Sequence, residues 1–113
     1  MKTLKEWMKA NLDSYDLKGI IDQGCAAYAP PGLIYYHESM ALYDKYSDEI
    51  WDWLNDESDR QGLDRTIDLI AQFRGTMSCR EHFENQLVWM YVEANAQEVL
   101  DEVARVVHKQ KEV

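Results

Sequence analysis

Residues 78–111 read SCREHFENQLVWMYVEANAQEVLDEVARVVHKQK, and this stretch decides the fold class. Ser78 followed by Glu81 is a capping-box pattern, and neither Gly nor Pro occurs from Thr76 to the end of the chain. Phe83, Leu87, Met90, Tyr91, Ala94, Val99, Val103, Val106 and Val107 recur mostly at three- and four-residue steps, the period of one helical face. The pattern predicts a helix of roughly 30 residues starting near Ser78, about 45 Å long. A chain of this size has a radius of gyration near about 13 Å, so such a helix outruns the domain. Its far end should overhang, fray or support a second subunit. Val99, Val103, Val106 and Val107 make that end the expected seam of a homodimer.

Upstream, helix starts and stops follow one another at short intervals. Thr3 with Glu6 is a second capping box, and Leu4, Trp7 and Met8 form one stripe of a helix over roughly residues 3–12. Asp13 or Ser14 caps the next, with Leu17, Ile20 and Ile21 facing inward and Gly24 as its stop. Gly24–Gly32, GCAAYAPPG, reads as a loop. Leu33-Ile34-Tyr35-Tyr36 is either a short extended piece or the lead-in to a helix around Glu38–Tyr46. Ser47 offers a fresh N-cap with Asp48 and Glu49 in the first turn, Ile50, Trp51 and Leu54 inward, and Gly62 at the end. Asp64 then caps a helix carrying Ile67, Ile70 and Phe73 and stopped by Gly75. The expectation is an all-α single domain over residues 1–113, with about five helices and a long C-terminal one.

The charge is unevenly placed. Residues 44–68 carry nine acids against three bases, and residues 81–102 carry six acids and no Lys or Arg. Each segment is thus −6, while the whole chain is −9, so the remainder is slightly basic. A dense field of one sign steers a partner of the other, and the commonest basic grooves are those that grip nucleic acid. Asp44, Asp48, Asp52 and Asp56 recur every four residues, which on one helix makes a ridge of carboxylates about 6 Å apart. Duplex DNA carries a phosphate about every 3.4 Å of axis on each strand, so a ridge of this density imitates its charge. The alternative is an ordinary solvated face. Glu49, Glu57 and Asp59 enlarge the patch. Trp51 and Trp53 lie about 200° apart around a helix, so one of them faces outward, and Trp53 is the candidate apolar anchor of an interface.

Several chemistries find no support. His37, His82 and His108 stand alone, and no HExxH, GxSxG, Walker loop or GxGxxG is present. Asp52, Asp56, Glu57 and Asp59 lack the spacing of a calcium loop, and Glu81-His82 lacks a third metal ligand. Cys25 has no adjacent base to activate it, and it and Cys79 read as reduced thiols. Direct nucleic-acid binding is opposed by a pI near 4.7. No apolar run approaches a membrane span, and MKTLKEWMKANLDSYD is not a signal peptide. The expectation is therefore a cytoplasmic protein with no catalytic residue, metal or cofactor.

The runs MKTLKEWMKANLDSYDL, LIYYHESMALYDKYSDEIWDWL and QLVWMYVEANAQEVLDE resemble small uncharacterised acidic proteins of phages and mobile elements. More loosely, the layout is similar to acidic, all-helical phage anti-restriction proteins that mimic DNA, with anti-CRISPR proteins as neighbours. That resemblance implies a counter-defence inhibitor in the host cytoplasm. Its partner would be a basic nucleic-acid-binding protein of a restriction or CRISPR system, met by Asp44, Asp48, Glu49, Asp52, Trp53, Asp56, Glu57 and Asp59. The alternative is a structural or regulatory interaction module that pairs through its last helix.

Overall fold

The computed structural model describes residues 2–25, 27, 28, 30, 32, 33, 36–61 and 80–111. These form four α-helices and no strand: α1 (Leu4–Asn11), α2 (Ser14–Gln23), α3 (Tyr36–Gln61) and α4 (Arg80–Lys111). The all-α class is as expected, with four helices among the described residues where about five were expected of the whole chain. The two helices anticipated on either side of Ser47 run together as one kinked element, the bend falling at the non-helical Tyr46 (φ −118°, ψ 17°), next to the expected break. The helix anticipated over residues 64–73, with its cap Asp64 and the stops Gly62 and Gly75, lies outside the described residues. So does the Ser78 cap.

α4 is the spine. It has 32 residues, about 48 Å of helix, and the molecule measures 50 × 31 × 27 Å. α1, α2 and α3 all pack on α4, while α1 and α3 touch each other only lightly. A helix packed from several directions buries more than one stripe. Leu87, Val88, Met90, Tyr91, Val92, Asn95, Ala96 and Val99 are all buried, whereas Ala94, expected on the inner stripe, is exposed. Against them lie Leu4 and Met8 of α1, Leu17 and Ile20 of α2, and Leu42, Tyr46, Ile50 and Leu54 of α3, in one cluster. Each such side chain contributes about 1.5–3 kcal/mol through burial. Ile21, expected inward, is 38% exposed. Val99 is fully covered and Val103 packs on the same core, so the anticipated dimer seam is half used by the chain's own fold. The side chains of Val106 and Val107 are outside the description.

The caps match the sequence with one change. Thr3 Oγ1 accepts from the Glu6 amide (3.1 Å), but Glu6 returns its carboxylate to the Lys2 amide rather than to Thr3. Asp13 caps α2 in a full capping box with Asp16, whose carboxylate also accepts from the Tyr28 hydroxyl (2.7 Å). This ties the α2–α3 loop to the start of α2. Gly24 ends α2 at φ +80°, a conformation that favours glycine.

Candidate functional site

Both acidic segments are helical, yet the fold treats their carboxylates differently. On α4, Glu98 pairs with Lys5 (2.6 Å) and Glu102 with Lys9, a two-rung ladder to α1 built from residues four apart on each helix. The Lys9 ammonium, hydrogen-bonded to Glu102, lowers that carboxyl's pKa. Asp101 accepts from the Gln97 amide (3.0 Å), and Glu84 is also engaged. Glu93 reaches the turn after α2, where it accepts from the Cys25 backbone amide; burial raises its pKa, and this hydrogen bond opposes the rise. Its carboxylate occupies the place a side chain at residue 24 would need, a second reason for Gly24. Every described acidic side chain of α4 thus has an intramolecular partner, that of the exposed Asp101 lying one turn back on α4 itself. Only Glu81, whose side chain is outside the description, is left aside.

α3 divides its acids. Glu49 turns inward: Oε1 accepts from the Leu4 amide (2.8 Å), and Oε2 accepts from the Tyr91 hydroxyl (2.5 Å). One carboxylate therefore caps α1 and pins α3 to α4. Burial first, then this bond, raises the Tyr91 pKa well above its ordinary value. Glu57 is half-buried and engaged. In contrast, Asp44, Asp48, Asp52, Asp56 and Asp59 are exposed, with no ion-pair or hydrogen-bond partner among the described residues.

The free stripe is not straight. Successive positions four apart advance about 6 Å and turn about 40°, so the row winds right-handedly. Asp48, Asp52 and Asp56 follow this path on one helical segment, and the bend at Tyr46 sets Asp44 apart. Nor is the surroundings' charge of one sign. An open groove of about 620 Å³ between the start of α1 and α3 brings Lys2, Lys5 and Lys45 beside Asp48, Asp52 and Asp56. Lys5 is held by Glu98, and Lys45 lies over the Tyr46 ring, 5.3 Å from its centroid.

The tryptophans exchange the roles expected of them. Trp53 is half-buried, edge-on to Tyr91 with centroids 5.5 Å apart, and packs on the core. Trp51, expected inward, is 39% exposed, and its Nε1 donates to the Tyr43 hydroxyl (3.0 Å). The position of α4 explains the exchange: its Tyr91 meets Trp53, on the opposite side of α3 from Trp51.

Among the described residues, no three or more His, Cys, Asp and Glu side chains gather as a metal site. No described helix is long and apolar enough to cross a membrane. Cys25 is buried, and burial, with Glu93 beside it, pushes its thiol up to about 12, far from a nucleophile at neutral pH.

With this geometry in hand, the family described as "Domain of unknown function (DUF7222)" matches residues 1–105. The chain belongs to this family. The DUF7222 match takes in all four helices up to the last turns of α4, so the groove, the acidic stripe and both tryptophans fall within it. No curated protein and no solved structure matches the chain.

Proposed function

We propose that this chain is a non-enzymatic binding protein that offers the acidic face of α3 to a basic, nucleic-acid-gripping surface. The partner class we assign is a DNA-binding protein of a restriction or CRISPR system, which makes the chain a phage or plasmid counter-defence inhibitor. One observation carries the reading. The described α4 carboxylates each have an intramolecular partner, whereas Asp44, Asp48, Asp52, Asp56 and Asp59 face solvent without described partners. A surface that keeps like charges four residues apart accepts a cost of a few tenths of a kcal/mol per pair. The right-handed winding supports the same reading. A row of every-fourth residues closes one turn in about 54 Å, the same hand as a DNA strand, whose turn takes about 34–36 Å.

The test is competition. The chain should displace duplex DNA from a restriction endonuclease or CRISPR effector at low ionic strength, and less well as salt shortens the reach of the field. Displacement that is indifferent to salt counts against phosphate mimicry. A second reading is favoured by the lysines of the groove, which dilute the acidic field. In it the chain is a structural or regulatory helical module, its acids serve solubility, and it pairs with a second copy through the end of α4.

A further inference from the structure

Trp51 is the large exposed apolar side chain of α3, 39% exposed, and it borders the free carboxylates at the Asp48 end of the stripe. Asp48 precedes it by three residues on the same helical segment, so the two are neighbours on one side of the helix. The single polar atom of its ring is already committed, because Nε1 donates to the Tyr43 hydroxyl across the bend at Tyr46. What the indole still has to give is its π surface. The same bond fixes the ring before any partner arrives, so little side-chain freedom is lost on contact. Lys45, the one lysine in α3, is drawn over Tyr46.

We infer that Trp51 and Asp48 form an arginine-selective contact, in which a guanidinium of the basic partner lies against the indole while the carboxylate accepts its N–H groups. This rests on the reading of α3 as a surface for basic partners and adds which cation it prefers. Arginine fits both halves of the patch. Its planar fork matches a carboxylate bidentately, and its weakly hydrated face stacks on an aromatic ring. A lysine ammonium keeps its water and gains only the point charge. Trp is the strongest aromatic partner for a cation, and at an exposed site the contact is modest.

The experiment measures binding of fluorescein-labelled oligoarginine and oligolysine of equal length to the full chain by anisotropy at low salt. Wild type should prefer oligoarginine, and in Trp51→Leu the arginine-to-lysine affinity ratio should fall by roughly two- to five-fold, with oligolysine affinity unchanged. An unchanged ratio in a Trp51→Leu protein with the wild-type circular dichroism spectrum overturns the inference and leaves the acidic-face reading standing. Equal affinity of wild type for the two peptides does the same. If Trp51→Leu does not fold, Trp51→Phe keeps a ring of weaker π character, and a ratio there equal to wild type is overturning. Peptide binding that is undiminished in Asp48→Asn/Asp52→Asn/Asp56→Asn overturns the reading of the face itself, and the arginine contact with it.

Discussion

Replacing Glu49 with Ala should unfold the molecule at a distinctly lower temperature, although Glu49 stands between Asp48 and Asp52 in an apparently uniform run of acids. The substitution removes the acceptor for both the Leu4 amide and the Tyr91 hydroxyl. A hydrogen bond to an ionised group is worth about 1.5–3 kcal/mol. Both bonds are only part-buried, and water reaches the orphaned donors, so the lower end applies and the pair contributes about 3 kcal/mol. For a domain of this size 1 kcal/mol moves the melting temperature by about 4 °C, which gives a fall of about 12 °C. Thermal unfolding followed by far-UV circular dichroism reads it. Tyr91→Phe should cost about half as much, since it deletes one of the two bonds. Because the two residues share a contact, the double variant should cost about 1–2 kcal/mol less than the sum of the singles. Asp52→Ala, one turn away, should stay within about 0.5 kcal/mol of wild type. A Glu49→Ala protein that melts within about 2 °C of wild type refutes the division of the acids into structural and free.

Gly24→Ala should cost about 2–3 kcal/mol in urea unfolding, because φ is +80° there and the Glu93 carboxylate must move aside. Burial raises the Glu93 pKa above the ordinary glutamate value of 4.5, so the fold favours its protonated form. The stability this gives is present below pH 4.5 and is lost as pH rises through the raised value, so wild type should lose stability relative to Glu93→Gln from pH 4.5 upward. A stability difference that runs the other way with pH contradicts the burial of that carboxylate. Cys25, studied in a Cys79→Ser background, should resist Ellman's reagent at pH 8 in the native state and react at once in guanidinium, since its thiol is buried and pushed up to about 12.

Local signals carried most of the architecture. The stripe of α4, the caps at Thr3 and Asp13 and the stop at Gly24 depend on residues within one or two turns, and all read directly from sequence. The misreadings have one cause, which is contact between distant residues. Ile21, Trp51 and Ala94 are apolar residues at inward-looking steps, but whether a step faces the core depends on where α4 lies. The break expected at Ser47 is present as the kink at Tyr46, but Glu49, which looks like an ordinary first-turn acid, is spent on Leu4 and Tyr91, 45 and 42 residues away in the chain. No local pattern announces that use. The same holds for Glu93, Glu98 and Glu102, which look like surface charge in sequence and are structural partners in the fold. The acidic stripe itself was legible, because positions four apart share a face on any helix. That Asp44, Asp48, Asp52, Asp56 and Asp59 keep their charge for the solvent could not be read until the other carboxylates had found partners.

The central claim is that this remaining stripe is the working surface, and Asp48→Asn/Asp52→Asn/Asp56→Asn tests it most directly. The three side chains keep their shape and lose their charge, and relief of two repulsive pairs should leave stability unchanged or raise it by up to about 1 kcal/mol. The measurement is the plating efficiency of unmodified phage on a panel of hosts, each carrying one restriction or CRISPR system, with wild type or the triple variant expressed. Wild type should protect against at least one system, and the equally stable triple variant should lose that protection. Full protection by the folded triple variant, or no protection by wild type across the panel, contradicts the account.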